Sequence, residues 1–262
     1  MLNFQQKKIW ITGASSGIGE AMARAFHKAG ARLILSARRE EELRRIQEQC
    51  GGESNTRILP LDLTQAGELS DKTRLALDMF GGIDILVQNA GITQRSLVKD
   101  TDPSVYRTLM ELNYFAPVAL TKAILPSMLE KKSGHFVVIS SLVGKFGTPL
   151  RSGYAASKHA LHGFFDSLRA EEGRQGINVT IVCPGFIRTD ISLHALVGDG
   201  GKHGKMDKGQ SQGMPVEQCA TEILIGVAGH KQEIYVAGSD KYLVYMKRFF
   251  PGIFSRMVAR AF

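Results

Sequence analysis

The chain has 262 residues, 44% of them hydrophobic, three cysteines and a formal net charge of +8. That length holds one large α/β domain or two small ones, and the apolar share is that of a protein with a packed core. It has no apolar run near the ~18 residues of a membrane span, no metal-ligand spacing among Cys50, Cys183 and Cys219, and no basic stripe or recognition helix of a nucleic-acid binder.

Residues 1–6 are too short and too polar for a signal peptide. With the three thiols taken as free in a reducing compartment, they imply a cytoplasmic protein. The first apolar run, residues 9–11, belongs to a predicted strand over 8–12. Helix then alternates with strand: helix 17–29, strand 32–36, helix 40–49, strand 57–61, helix 65–80, strand 83–88, helix 103–131, strand 135–140, helix 154–174, strand 178–182, helix 215–229 and strand 233–236. Several strands are apolar throughout, as parallel strands buried on both faces are. The pattern predicts α/β architecture: a single-domain, doubly wound fold over residues 1–240 with a seven-stranded parallel sheet. Residues 198–213, GDGGKHGKMDKGQSQG, carry no apolar periodicity. They follow a strand's carboxyl end, where ligands bind in open α/β sheets, and are expected to form a mobile substrate loop within about 190–214.

Between the first strand and the first helix stands TGASSGIG, residues 12–19. Glycines 13, 17 and 19 allow a tight turn, and their missing Cβ atoms let backbone N–H groups approach a pyrophosphate at the helix N-terminus. Ser15 and Ser16 add hydroxyl donors. The spacing is a variant of the dinucleotide fingerprint, so Gly13, Ser15, Ser16, Gly17, Ile18 and Gly19 are the expected cradle. About twenty residues on, an NAD site places an acid on the ribose 2′-hydroxyl. Here LILSARREEE has Ala37 at that place, followed by Arg38 and Arg39. A guanidinium grips a 2′-phosphate that a carboxylate would repel. The expected cofactor is NADP(H), with Arg38 the main contact and Ser36 and Arg39 secondary.

In SGYAASKHALHGFF, residues 152–165, Tyr154 and Lys158 lie one helical turn apart and share a face, with only small residues between them. A tyrosine of ordinary pKa near ~10 is a poor proton carrier at neutral pH. A neighbouring ammonium lowers that value by ~1–3 units, and Lys158 is the expected source. Ser141, ending HFVVISS, would donate to a substrate oxygen as charge develops there; Ser140 is its rival. His159 and His162 are taken to point off the Tyr154/Lys158 line, Cys183 to be a small buried filler, and no metal is expected.

With TGASSGIG at 12–19, QNAG at 88–91, YAASK at 154–158 and PG at 184–185, the chain resembles the short-chain dehydrogenase/reductase family from about residue 7 to 236. The resemblance implies a Rossmann-type fold and hydride transfer between a nicotinamide cofactor and a carbonyl or alcohol. It maps the family's catalytic tetrad onto Asn113, Ser141, Tyr154 and Lys158, choosing Ser141 over Ser140 by its thirteen-residue separation from the tyrosine. By the same resemblance Lys158 also binds the nicotinamide ribose, and Asn113 holds a water linking Lys158 to solvent. Asp62 is expected at the adenine, Asn89, Ala90 and Gly91 along the ribose and pyrophosphate, and Pro184, Gly185, Ile187 and Thr189 at the carboxamide. Where the family motif starts with Asn, this chain has Gln88, which alters a brace between strands.

Within the family the chain looks most like the branch that includes 11-beta-hydroxysteroid dehydrogenases and the dehydrogenase/reductase member 7 group, which implies a hydrophobic or lipid-like small-molecule substrate. The alternatives are a non-catalytic NADPH-sensing protein and a member specialised for epimerisation or dehydration. Residues 241–262 form a basic aromatic extension with five basic residues and no acidic one. It suits packing on the domain or a partner subunit, or peripheral contact with an anionic membrane; Pro251 and Gly252 divide it into two pieces. A homodimer or homotetramer through 103–131 and 154–174 is implied by the family.

Overall fold

The computed structural model describes residues 4–260; residues 1–3 and 261–262, including Phe262 of the aromatic extension, lie outside the described residues. In chain order the elements are β1 (Lys8–Thr12), α1 (Gly17–Lys28), β2 (Arg32–Ser36), α2 (Glu40–Gln49), α3 (Gly52–Asn55), β3 (Thr56–Ile58), α4 (Leu69–Phe80), β4 (Ile85–Gln88), α5 (Pro103–Met110), α6 (Ala116–Glu130) and β5 (Gly134–Ile139). There follow α7 (Ser152–Glu172), β6 (Ile177–Pro184), α8 (Lys208–Ser211), α9 (Val216–Ala228), β7 (Glu233–Val236), α10 (Tyr242–Phe249) and α11 (Pro251–Arg260).

All seven strands pair in parallel, in the order β3-β2-β1-β4-β5-β6-β7. Successive residues of a strand point to opposite faces. Ile9, Ile11, Leu33 and Leu35 therefore pack with Met22, Phe26 and Ile223 from α1 and α9. Trp10, Ile34, Leu86 and Phe136 pack on the other face with Phe80, Ile124 and Phe165 from α4, α6 and α7. Both faces bury apolar side chains, which is why the strands lack polar alternation. The strand order reverses between β1 and β4, so the loops leaving these two strands diverge and open a crevice.

Several predicted boundaries change; the helix expected over 65–80 begins at Leu69 and the strand expected over 83–88 at Ile85. The strand expected at 57–61 is the shorter β3, although the chain beyond it still follows β2, with Leu59 N–H donating to the Leu35 carbonyl at 2.9 Å and Leu61 N–H to the Ala37 carbonyl at 3.0 Å. The helix expected over 103–131 starts with Pro103 after the Asp102 cap, whose carboxylate accepts from the Ser104 N–H at 2.8 Å. It is interrupted by a π-helical turn at Glu111–Phe115. The segment 198–213 has structure of its own. It carries α8, its Lys202 bridges Leu196, and it is flanked by a Gln94–Leu196 bridge to the loop after β4 and an Ile187–Met214 bridge to β6's outlet.

Candidate active site

At the crevice, two glycines bring backbone into contact. Gly13 leaves β1 with φ +63°, and a Cβ there would lie 2.7 Å from the Cα of Ala90. A Cβ on Gly19 would lie 2.2 Å from the Gly13 carbonyl oxygen. The turn thus folds tightly under the start of α1, and a side chain at either glycine would push it open. Thr12 ties the two loops together: its hydroxyl accepts from the Asn89 and Ala90 N–H groups at 3.1 and 3.3 Å and donates to the Val87 carbonyl at 3.3 Å. The Asn89 amide donates to the carbonyls of Thr12 and Gly13 at 3.1 and 3.0 Å.

At the ends of β2 and β3, Arg38 is exposed and makes no hydrogen bond or ion pair among the described residues. Asp62 lies within its field; hydrogen bonds from Thr64, with Arg38 adding to them, hold that carboxyl below the usual range. Arg39 donates to the Ser15 hydroxyl at 3.0 Å and so braces the glycine turn. On the far side, the Thr189 methyl stands 3.1 Å from where a Gly17 Cβ would be. Gln210 of α8 donates to the Thr189 hydroxyl at 3.0 Å and to the Ile187 carbonyl.

Beyond the crevice, α7 and β5 assemble a second group of side chains. Burial pushes the Tyr154 phenol above its usual range, and the Ser141 hydroxyl, hydrogen-bonded to it, pulls it back down together with Arg95 and Arg151. Lys158 is 4% exposed and donates to the Ile139 carbonyl at 2.8 Å. Its burial pulls the ammonium down to about 8. Asn113 sits in the π-helical turn, which widens the helix and turns its side chain toward the loop after β4. Its amide donates to the Ile92 carbonyl and the Ser157 hydroxyl and accepts from the Ile92 N–H, each at 2.9 Å. A Cβ on Gly91 would lie 3.1 Å from the Asn113 Oδ1 and 3.4 Å from the Lys158 Nζ, so this glycine leaves room beside both.

The segment after β6 closes over this group. Arg95, 9% exposed, donates to Asp207 from Nε at 2.8 Å and Nη2 at 2.5 Å, and Arg151 reaches the same carboxylate at 3.3 Å. One carboxylate therefore faces two guanidiniums next to Tyr154.

A family profile described as short chain dehydrogenase matches residues 7–195. The chain belongs to this family. It is 42% identical to dehydrogenase/reductase SDR family member 7B of Bos taurus, over 95% of this chain and 79% of that protein. It is 43% identical to dehydrogenase/reductase SDR family member 7 of Homo sapiens, over 93% and 74%. A solved short-chain dehydrogenase from Streptomyces avermitilis superposes with a TM-score of 0.84 at 29% identity, covering 98% of this chain and 99% of that one. A family member from Burkholderia phymatum, solved in complex with NAD, gives the same TM-score at 21% identity, covering 97% and 96%.

As a short-chain dehydrogenase the protein brings Asn113, Ser141, Tyr154 and Lys158 to one end of the sheet, beside the glycine turn and Asn89–Gly91. The two serines separate cleanly. Ser141 meets the phenol, whereas Ser140 is buried and bonds the Lys158 carbonyl at 3.2 Å and the His162 Nε2 at 3.0 Å. Pro184 accepts from Ser141 at 3.5 Å, and Gly185 is pinned to β7 by the Val236 carbonyl at 3.0 Å.

Several expectations change. Ser36 is 1% exposed and its hydroxyl accepts from the Trp10 indole at 2.9 Å, which withdraws it from the exposed surface beside Arg38. The groups that lower the Tyr154 phenol here are Ser141, Arg95 and Arg151, while the Lys158 ammonium lies over the Tyr154 ring, 5.8 Å from its centroid, and donates to the Ile139 carbonyl. Both Asn113 amide hydrogens and one lone pair are committed to protein. His162 lies on the Tyr154/Lys158 line, two turns along. It bonds Ser140 at 3.0 Å and lies 3.4 Å from the Glu233 carboxylate, and the polar atoms of His162, Cys183 and Glu233 fall within 4.8 Å of one another. Glu233 is paired with Lys145 at 2.5 Å, and burial pushes the Cys183 thiol well up, behind α7. Gln88 braces β4 to α6 through Thr121 at 2.7 Å. Thr12, Arg95, Gln210 and Asp207 went unrecognised in the sequence; only the place of Thr12 before the first glycine was a local signal.

Proposed function

We propose that the protein is an NADP(H)-dependent oxidoreductase interconverting a carbonyl and a secondary alcohol, with Tyr154 as general acid and base. The observation that carries this is the convergence of the Tyr154 phenol, the Ser141 hydroxyl and Lys158 beside a glycine cradle that a single Cβ would fill. The crevice residues suit a dinucleotide: Gly13, Gly17 and Gly19 leave backbone room for its pyrophosphate, Asn89–Gly91 line the other wall, and Arg38 is an unpaired cation placed for a 2′-phosphate. When bound, the nicotinamide supplies or accepts the hydride.

In the reductive direction the chain supplies the proton. Ser141 donates a hydrogen bond to the substrate oxygen, and Tyr154 transfers its phenolic proton to that oxygen as negative charge builds there. The phenolate left behind is stabilised by Ser141 and by the field of Arg95 and Arg151. Lys158, lowered to about 8, is poised to return a proton near neutral pH and to hold the cofactor's ribose. Tyr154→Phe is expected to lower kcat by about 10²–10⁴-fold while NADPH still binds, read by fluorescence titration; substantial turnover in that variant would refute the assignment.

The substrate we assign is hydrophobic, in line with the member 7 relatives' branch. Three buried, unpaired thiols, of which Cys50 and Cys219 are pushed up to about 11 and 12 by burial, suit a reducing compartment such as the cytoplasm. The rings of Tyr114, Phe115 and Phe164 cluster on the outer side of α6 and α7 with Phe115 half exposed, which favours a homodimer or homotetramer through that face. Analytical ultracentrifugation of Phe115→Glu tests this, with loss of the assembly expected.

A further inference from the structure

The helices α10 and α11 take no part in the site described above, yet they carry the most concentrated apolar surface of the chain. Their inner side is anchored: Phe254 is 3% exposed and meets Phe146 edge to face at 5.1 Å, and Leu243, Val244, Met246 and Val258 pack against the same core. Their outer side is bare. Tyr242, Tyr245, Phe249, Phe250 and Ile253 are between 49% and 68% exposed. Folded monomers seldom leave such a cluster in water unless it meets a partner.

Charge identifies the partner. Residues 241–260 hold Lys241, Lys247, Arg248, Arg256 and Arg260 and no acidic residue. A second copy docking through this face in an isologous contact would set these cations against their own equivalents with no carboxylate on the face to offset them. An anionic lipid surface reverses that balance. Aromatic rings sit well at the headgroup level, and neighbouring Lys and Arg side chains reach the phosphates. Neither helix exceeds ten residues, and no helix among the described residues is long and apolar enough to cross a membrane, so the contact is lateral. A groove of about 570 Å³ opens on this side between α10, the start of α11 and Lys145, which follows Ser141 by four residues.

We propose that α10 and α11 form a docking face for the surface of an anionic phospholipid bilayer, with Phe249 and Phe250 inserting at headgroup depth and Lys247 and Arg248 pairing with lipid phosphates. This goes beyond the redox reading and does not depend on it.

The test is flotation of the full chain with vesicles of pure phosphatidylcholine and of phosphatidylcholine carrying about 30% phosphatidylserine. Two variants are compared, Phe249→Ser/Phe250→Ser and Lys247→Glu/Arg248→Glu. Arg248, Phe249 and Phe250 are exposed, unlike Phe254, which deletion of the helices would strip from the core, whereas the Lys247 ammonium lies over the Phe254 ring at 5.7 Å; thermal melting of Phe249→Ser/Phe250→Ser should match the unaltered chain, and Arg248→Glu alone replaces the double charge variant if that one melts lower. Binding to the anionic vesicles is expected to exceed that to the neutral ones, to fall by about tenfold or more in each variant, and to weaken as salt shortens the Debye length. Equal partition onto the two vesicle types, no binding to either, or full binding by both variants would overturn the proposal. So would sedimentation showing that Phe249→Ser/Phe250→Ser splits a dimer while vesicle binding stays unchanged.

Discussion

Replacing Thr12 with valine preserves the side-chain shape and removes a single hydroxyl. Thr12 is 2% exposed, and that hydroxyl bonds the N–H groups of Asn89 and Ala90 and the carbonyl of Val87. Valine suits the strand, so neither cavity nor backbone strain obscures the result. A buried group left without its partner costs ~1–3 kcal/mol. Two amides lose theirs, and because Asn89 and Ala90 are only half buried, water offsets part of the cost. The expected loss is about 2–4 kcal/mol, or a fall in Tm of roughly 4–15 °C for a chain of this size. The same bonds hold Ala90 against Gly13, where a Cβ would have 2.7 Å. Release of that strand end widens the cradle, so KM for NADPH should rise about tenfold or more, equivalent to ~1.4 kcal/mol of binding, with kcat nearly unchanged. Thr12→Ser keeps the hydroxyl and should behave almost as the unaltered enzyme. Urea unfolding and steady-state kinetics on the three proteins provide the assay. If Thr12→Val unfolds within ~0.5 kcal/mol of the parent and binds NADPH equally well, the hydroxyl bridge does not organise the crevice.

Ser141→Ala should lower kcat by about 10²–10³-fold with little change in Tm. Ser140→Ala should lose about 1–3 kcal/mol through its bonds to Lys158 and His162 and keep most of its turnover; the reverse pattern would exchange their roles. Arg38→Asp should raise KM for NADPH and lower it for NADH; selectivity that stays unchanged would refute the 2′-phosphate assignment. Lys158 gives a pH test of the folded state. Its folded pKa of about 8 lies below the ordinary 10.5, so between these values the unfolded chain binds more protons and stability rises with pH. The gain is absent below the folded value and complete above the unfolded one. Relative to Lys158→Met, the parent should gain about 3 kcal/mol from pH 8 to 10.5, and comparison with the variant cancels the raised cysteines that titrate nearby. A pH-independent difference in unfolding free energy would refute the buried, destabilised ammonium.

The sheet was legible because each strand is a short apolar run bounded by glycines or charges, and seven such runs alternate with helical patterns. The glycine turn and the Tyr154/Lys158 pair were equally plain, since both depend on fixed local spacing. What escaped were groups whose partners are distant in the chain. Asp207 meets Arg95 across 112 positions, and Thr12 meets Asn89 across 77. The segment 198–213 looked structureless because bridges at its two flanks, at Leu196 and Met214, and not its own periodicity, give it form. The π-helical turn at Asn113 also left no mark in the apolar spacing of 103–131.

The sequence by itself determined the order of strands and helices, the place of the glycine turn and the Tyr154/Lys158 pair, which follow from backbone geometry and residue spacing that neighbours along the chain already define; Asn113 and Ser141 were legible only through the family resemblance. The tertiary structure alone decided which cations face the phenol, what Ser140 bonds in place of it and where the segment after β6 is held. Electrostatic fields and hydrogen bonds act through space: Arg95 and Arg151 lie far from each other in sequence yet converge on Asp207 beside Tyr154, while Lys158, one turn away, lies over the Tyr154 ring and donates to the Ile139 carbonyl.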